Sequence, residues 1–223
     1  AQDETAAAAA ATPAADDSSV AEAEVMPRAA SSLMLDIVDA GDRAVAVGER
    51  GHILVSETRR DGWRQIEHVP TRSNLTAVTA IDRRVVAVGH DGIVLRSDDG
   101  GLTWQTPQPT QLPNNNSSVQ ALRLADGRLA MIFNASSAAN ATERRESLYD
   151  ELEDTGEGSQ GATVAAPAAR KAFWGAPRAP MTLALSKDDG LTWPWQRNLE
   201  VGDGWCMSND SEQGRNREYS YPS

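Results

Sequence analysis

Only one cysteine, Cys206, occurs in the 223 residues, so no disulfide forms within the chain and no thiolate cluster holds a metal. No histidine follows it, and it reads as a small buried thiol rather than a nucleophile paired with a base. The three histidines, His52, His68 and His90, do not fall at metal-ligand spacing and read as turn residues. Lysine occurs twice, and acidic side chains outnumber basic ones 32 to 21, for a formal charge of −11. Nucleic acid and anionic membrane surfaces both demand a basic face, so neither is expected as a partner. No apolar run approaches the ~20 residues that cross a bilayer. The acidic run from Asp150 to Asp154 has neither the alternating oxygen ligands nor the turn glycine of a calcium loop, and reads as a solvated face. Gly48 to Gly51 resembles a phosphate loop only in its glycines, because no helix pattern follows it. No metal and no cofactor is expected.

Large apolar side chains are also scarce across the first thirty residues, which are mostly Ala, Asp, Glu, Ser and Pro. Such a segment cannot bury enough surface to offset its ordering entropy, and residues 1–32 are expected to be a disordered leader. The start Ala1-Gln2-Asp3-Glu4 carries neither an initiator methionine nor an apolar signal region. That is how an exported protein looks after signal removal, and the expected location is periplasmic or secreted.

What the chain does have is repetition. Ser97-Asp98-Asp99-Gly100-Gly101-Leu102-Thr103-Trp104 recurs as Ser186-Lys187-Asp188-Asp189-Gly190-Leu191-Thr192-Trp193, each copy after an alternating apolar run. Both fit S-x-D-x-G-x-T-W, the Asp-box. Ser and Asp side chains can bond the amides of a tight turn, Gly takes a backbone angle that other residues resist, and Trp packs beneath. The structural set is Ser97, Asp99, Gly101, Thr103, Trp104 and Ser186, Asp188, Gly190, Thr192, Trp193. A longer repeat surrounds the first copy: R-A-V-A-V-G at Arg43–Gly48 returns at Arg84–Gly89, and Gly51, Ser56 and Trp63 return at Gly92, Ser97 and Trp104. Every pair lies 41 residues apart. A period in the low forties with several short strands per unit predicts β-propeller blades.

A third unit fits the template if Leu122–Phe133 supplies two inner strands, turning at Asp126-Gly127, and Pro180–Leu185 the third. Between Asn134 and Ser186 the chain then runs 52 residues where the second copy has 7, an insertion of about 45 residues in one blade loop. Within it, Arg145, Leu148, Tyr149 and Leu152 have helical spacing. The expected organisation is a leader at 1–32, two repeats at 33–111, and a third region at 112–223 with its inserted loop at about 135–178. The fold class is all-β, a propeller-type array of about 3.5 four-stranded blades. A closed ring needs about 4 to 8 blades, so the ring is expected to be incomplete, with open strand edges that invite self-association.

Two resemblances follow from particular residues. A-V-G-E-R-G-H-I-L at Ala46–Leu54 and A-V-G-H-D-G-I-V-L at Ala87–Leu95 make residues 33–106 resemble the propeller family of the photosystem II assembly and stability factor. From Leu112 onward the chain resembles the sialidase-like BNR/Asp-box repeat family, through Pro113–Ser117, Ala121–Arg128, Leu183–Trp193 and Glu218–Pro222. The second resemblance implies a tyrosine nucleophile paired with a glutamate, placing Tyr219, Glu218 and Arg217 in the catalytic positions, a set suited to an anionic sugar. It also implies Asn115, Asn116 and Ser117 near the central cavity, where capping of a polar loop is the alternative. Trp174 beside the insertion could stack on a sugar ring.

The Arg-Ile-Pro signature that opens the sialidase family is missing, and no second or third arginine of its carboxylate-binding triad can be assigned. The catalytic set is therefore incomplete in this chain, and enzymatic activity stays open. The expected function is glycan recognition by a secreted or periplasmic sialidase-like propeller, with exo-glycosidase (sialidase) activity in question. The alternative is a non-enzymatic assembly or scaffold factor that binds a protein partner.

Overall fold

A computed structural model describes residues 21–108, 110–115, 117–137 and 178–200. These residues form three antiparallel sheets, each a simple meander in chain order. The first sheet contains β1 (Met34–Asp39), β2 (Ala44–Gly48), β3 (Ile53–Ser56) and β4 (Arg64–Gln65). The second contains β5 (Leu75–Ile81), β6 (Arg84–Gly89) and β7 (Val94–Ser97), and the third β8 (Gln120–Arg123), β9 (Leu129–Asn134), β10 (Met181–Ser186) and β11 (Trp195–Asn198). No α-helix occurs among the described residues, only three-residue 3-10 turns. The molecule is an all-β array of propeller blades.

The 41-residue period is a structural register. Met34 pairs with Gly48 as Leu75 pairs with Gly89, and Ala44 with Ser56 as Val85 with Ser97. Gly48 and Gly89 share one task. A Cβ on either would lie 2.2 Å from the Leu33 carbonyl oxygen or 2.0 Å from that of Asn74, so only glycine lets the incoming chain cross so closely. The same two carbonyls accept the amides of Glu49 and His90.

The middle sheet has three strands where four were expected. Its fourth strand survives as one bond, Gln105 N–H to the Arg96 carbonyl at 2.9 Å, where the first sheet pairs Arg64 with Val55. Pro107 follows two residues later and has no N–H to extend the ladder. In the third sheet Asp126-Gly127 turns as expected, with Gly127 at φ 85 and Leu124 N–H on the Arg128 carbonyl at 2.8 Å. The inserted stretch leaves after β9 and returns before β10. Its ends are tied by the Asn134 side-chain amide to the Arg178 carbonyl at 3.0 Å and by Ala135 N–H to the Pro180 carbonyl at 2.9 Å.

Packing explains why β2 and β6 read as unbroken apolar runs: all five residues of β2 and the last five of β6 are buried. Val45, Val47, Ile53 and Val55 of the first sheet meet Val78, Val85, Ala87 and Leu95 of the second. The opposite face of the second sheet, Val86, Val88 and Val94, meets Leu129, Met131, Phe133 and Ala184 of the third. Each such side chain stabilises the array by about 1.5–3 kcal/mol relative to exposure. The first strands of successive sheets are adjacent: Asp36 accepts Val78 N–H at 2.8 Å, and the Thr79 hydroxyl accepts Arg123 N–H at 2.9 Å.

Candidate functional site

The array has two ends. One carries the β3–β4 type turns, the Asp-boxes; the other carries the β2–β3 type turns and the crossovers between sheets.

At the Asp-box end the side chains are committed to the turns themselves. The Ser97 hydroxyl accepts Gly101 N–H at 2.9 Å and donates to Asp99 Oδ1 at 2.8 Å. Asp99 also accepts Leu102 N–H at 3.0 Å, Thr103 N–H at 2.9 Å and the Thr103 hydroxyl at 2.7 Å. Trp104 lies below, its indole N–H on the Gly101 carbonyl at 3.0 Å. The second copy repeats this: Gly190 N–H to Ser186 at 2.8 Å, Thr192 N–H to Asp188 at 2.8 Å, and Trp193 to the Gly190 carbonyl at 3.1 Å. Burial alone would raise the pKa of Asp99 and Asp188. Hydrogen bonds from Thr103 and Ser97, and from Thr192 and Ser186, outweigh it and hold both below the ordinary carboxylate value. An acid/base catalyst at neutral pH needs the opposite shift.

The first sheet carries a degenerate Asp-box. Thr58 stands in for the aspartate, its hydroxyl accepting Asp61 N–H at 3.0 Å, and Ser56 accepts Arg59 N–H at 3.0 Å.

Arginines fasten each turn to its neighbour. Buried Arg96 donates to the Asp189 carbonyl at 2.6 Å and to the Gly190 carbonyl. Arg84 and Arg123 meet the Asp189 carboxylate at 2.9 and 2.6 Å. Arg83 donates to the Asp99 carbonyl at 3.0 Å. These cations were not singled out by the sequence, because their partners lie up to 105 residues away. They are held in clamps between blades and do not converge on an open site.

The crossover end holds a cavity of about 190 Å3 between the second and third sheets. Ile93, Val94, Val119, Met131 and Phe133 form its walls, and Pro107, Leu112 and Pro113 of the crossover close one side. Gln108, Thr110 and Asn114 supply polar groups, Asp91 is the one charged lining residue, and no arginine lines it. Asp91 sits in the left-handed region at φ 58 and accepts the Ser73 hydroxyl at 2.7 Å. The cavity exists because two sheets and a proline-rich crossover meet, and only the proline spacing in Pro107–Pro113 signals it in the sequence.

The expected binding residues fall at this end in part. Asn114 lines the cavity. Asn115 is buried and accepts Ser117 N–H at 3.1 Å, and Ser117 is buried beside it; this bond is the loop-capping arrangement that was the alternative to ligand contact. Asn116, Trp174, Arg217, Glu218 and Tyr219 lie outside the described residues. Among the described residues no three metal-ligating side chains cluster, and no helix is long and apolar enough to cross a membrane.

His52 is a further feature. It is 2% exposed, and neither ring nitrogen has a hydrogen-bond partner among the described residues. Burial pulls its pKa below the ordinary 6.5, Glu49 and Arg50 acting in opposite directions. One period later the same position is Ile93, a wall of the cavity.

No curated protein matches the chain. Among solved structures it is similar to YCF48 bound to D1 peptide, at 22% identity over 45% of this chain and 34% of that one, with TM-score 0.36. It is also similar to the K499G mutant of NanB sialidase from Streptococcus pneumoniae, at 14% identity over 74% and 23% of the two chains, with TM-score 0.40. A third is YCF48 from Cyanidioschyzon merolae, at 16% identity, 77% and 58%, with TM-score 0.35. The chain spans less than two thirds of each of these proteins. The profile of the BNR repeat-like domain matches residues 42–223 and runs through the junction at 106–111 where the two sequence resemblances meet. The chain belongs to the BNR repeat-like domain family.

Proposed function

We propose that the chain is a recognition module without catalytic activity, and that the crossover-end cavity receives an apolar side chain of a partner polypeptide. One observation carries this reading: the cavity is walled by Ile93, Val94, Val119, Met131 and Phe133, with Asp91 as its one charged lining residue. A hydrophobic pocket with few polar groups suits a single inserted side chain. The carboxylate of Asp91 and the chain's charge of −11 favour a partner whose inserted residue has a lysine or arginine beside it. An anionic sugar would need cations there, and the described arginines are engaged elsewhere.

Glycan recognition is the second reading, supported by membership of the BNR repeat-like family and by Trp195, 43% exposed on β11, where a pyranose face could stack. A secreted or periplasmic setting suits either ligand.

Calorimetric titration separates the readings. Short peptides with Leu or Phe next to Lys are expected to bind, and sialyllactose is not. Gln108→Trp fills the cavity mouth from an exposed position and should abolish peptide binding. Asp91→Asn keeps the turn and should weaken binding up to about fivefold, the size of a partly exposed charge pair. Sialyllactose binding that survives Gln108→Trp, with no peptide response, would overturn the peptide reading.

A further inference from the structure

We propose that two copies of this chain associate blade to blade, the open face of the first sheet in one copy packing on the open face of the third sheet in the other. This contact uses sheet faces away from the cavity and stands independently of the ligand.

The repeat defines these faces. Val78, 5% exposed, faces the first sheet; its counterpart one period earlier is Ile37, 56% exposed beside Leu35. Thr79, 7% exposed, bonds across to the third sheet. Val85 aligns with Leu129 through their partners Ser97 and Ser186, so the residue matching Thr79 is Leu122, 53% exposed. In β10 the face turned to the second sheet, Thr182, Ala184 and Ser186, is buried, while Met181, Leu183 and Leu185 are half exposed. The two open faces are thus the same kind of surface that the chain already pairs twice within itself. The first sheet presents the face that each later sheet turns backward, and the third presents the face that each earlier sheet turns forward.

Charges at the rim select this pairing. Where the second and third sheets meet, the turn residue Asp189 contacts Arg123 of its own sheet and Arg84 of the neighbour, and Arg96 holds the turn's carbonyls. In the first sheet the same turn position is Arg59, bonded to Asp39 of its own sheet at 2.7 Å; Asp39 matches Arg123, so the pair is reversed in sign. The third sheet is altered to match. Leu185 stands where the second sheet has Arg96, by the pairings Val86 to Arg96 and Ala130 to Leu185. The hairpin turn before Arg128 carries an exposed carboxylate, Asp126. An arginine turn thus meets leucine and aspartate instead of a second arginine. Pairing like faces would instead bring Arg59 toward Arg59 of the other copy.

Two such contacts in one pair join six sheets, within the 4 to 8 of closed propellers, and a head-to-tail contact that closes on itself yields a discrete assembly.

Native mass spectrometry and light scattering on the full chain at micromolar concentration test this. The expected mass is twice 23.9 kDa. Ile37→Glu and Leu122→Glu should each give a monomer with an unchanged melting profile. Mixing the two variants should restore a pair, because one retains an intact third-sheet face and the other an intact first-sheet face. A monomeric wild type overturns the proposal, as do dimeric single variants, a mixture that stays monomeric, or a ladder of masses above the pair. If a variant loses its melting transition, the wild-type mass alone decides.

Discussion

His52 shows how one side chain can set a pH dependence for the fold. Its ring is buried without a hydrogen-bond partner among the described residues, and burial depresses its pKa below 6.5. In the unfolded chain the imidazole takes up a proton near its ordinary value; in the folded chain it does so only at lower pH. Stability is therefore undiminished above pH 6.5 and falls as the pH drops below it, until the folded group also protonates. Asp99 and Asp188, whose pKa values lie below 3.8, contribute stability above that value and lose it only at more acidic pH, so the two effects occupy separate windows. His52→Ile installs the residue found one period later at position 93. Urea unfolding at pH 7.0 and 5.5 should show a smaller loss on acidification for this variant than for the wild type. An equal loss would place the acid sensitivity elsewhere.

At the scale of elements, the clearest test falls on the start of β6–β7 pairing. A methyl group on Gly89 would lie 2.0 Å from the Asn74 carbonyl and 2.8 Å from the Leu75 Cα, both backbone atoms that cannot step aside. Gly89→Ala should cost about 2–4 kcal/mol, as for other overpacked or strained sites. Gly62, at φ 65 with nothing within 4 Å of a built Cβ, is the control; Gly62→Ala should cost only about 1–2 kcal/mol of backbone strain. Denaturant midpoints compare the two, and equal losses would contradict the crossing geometry. These glycines were legible because they recur at a fixed spacing, as were the Asp-boxes and the strands between them. The missing fourth strand of the second sheet was written in Pro107, but a repeat template hides it by extending the first unit's pattern onto the second. The cavity was not legible, since its walls come from β7, β9 and a crossover that only packing brings together. Asn115 and Ser117 were visible as polar residues, yet the bond between them becomes evident only with the loop's backbone path.

For the whole molecule, the stability of a repeat array is approximately a sum of each unit's own stability and the contacts between neighbours. The contacts joining the second and third sheets are of two kinds: the apolar layer around Met131 and Phe133, and the arginine clamp on the Asp189–Gly190 turn. Arg96 is central to the clamp, because its guanidinium is 7% exposed as a residue and bonds two backbone carbonyls of the next sheet. Burial pulls its pKa down, and Asp188 and Asp189 counter that pull. Arg96→Ala removes both bonds and leaves two buried carbonyls without their donor, a cost of about 2–4 kcal/mol. The first and second sheets keep their own interface, built on Val45, Val47, Val85 and Leu95, so the loss should not spread evenly. Hydrogen exchange on Arg96→Ala should show faster exchange at the β9–β10 amides while β2, β3 and β6 stay close to wild type. If all three sheets lose protection together, the array unfolds as one cooperative unit and the clamp is not a separable joint. If β9 and β10 are unaffected, the apolar layer alone holds the third sheet in place.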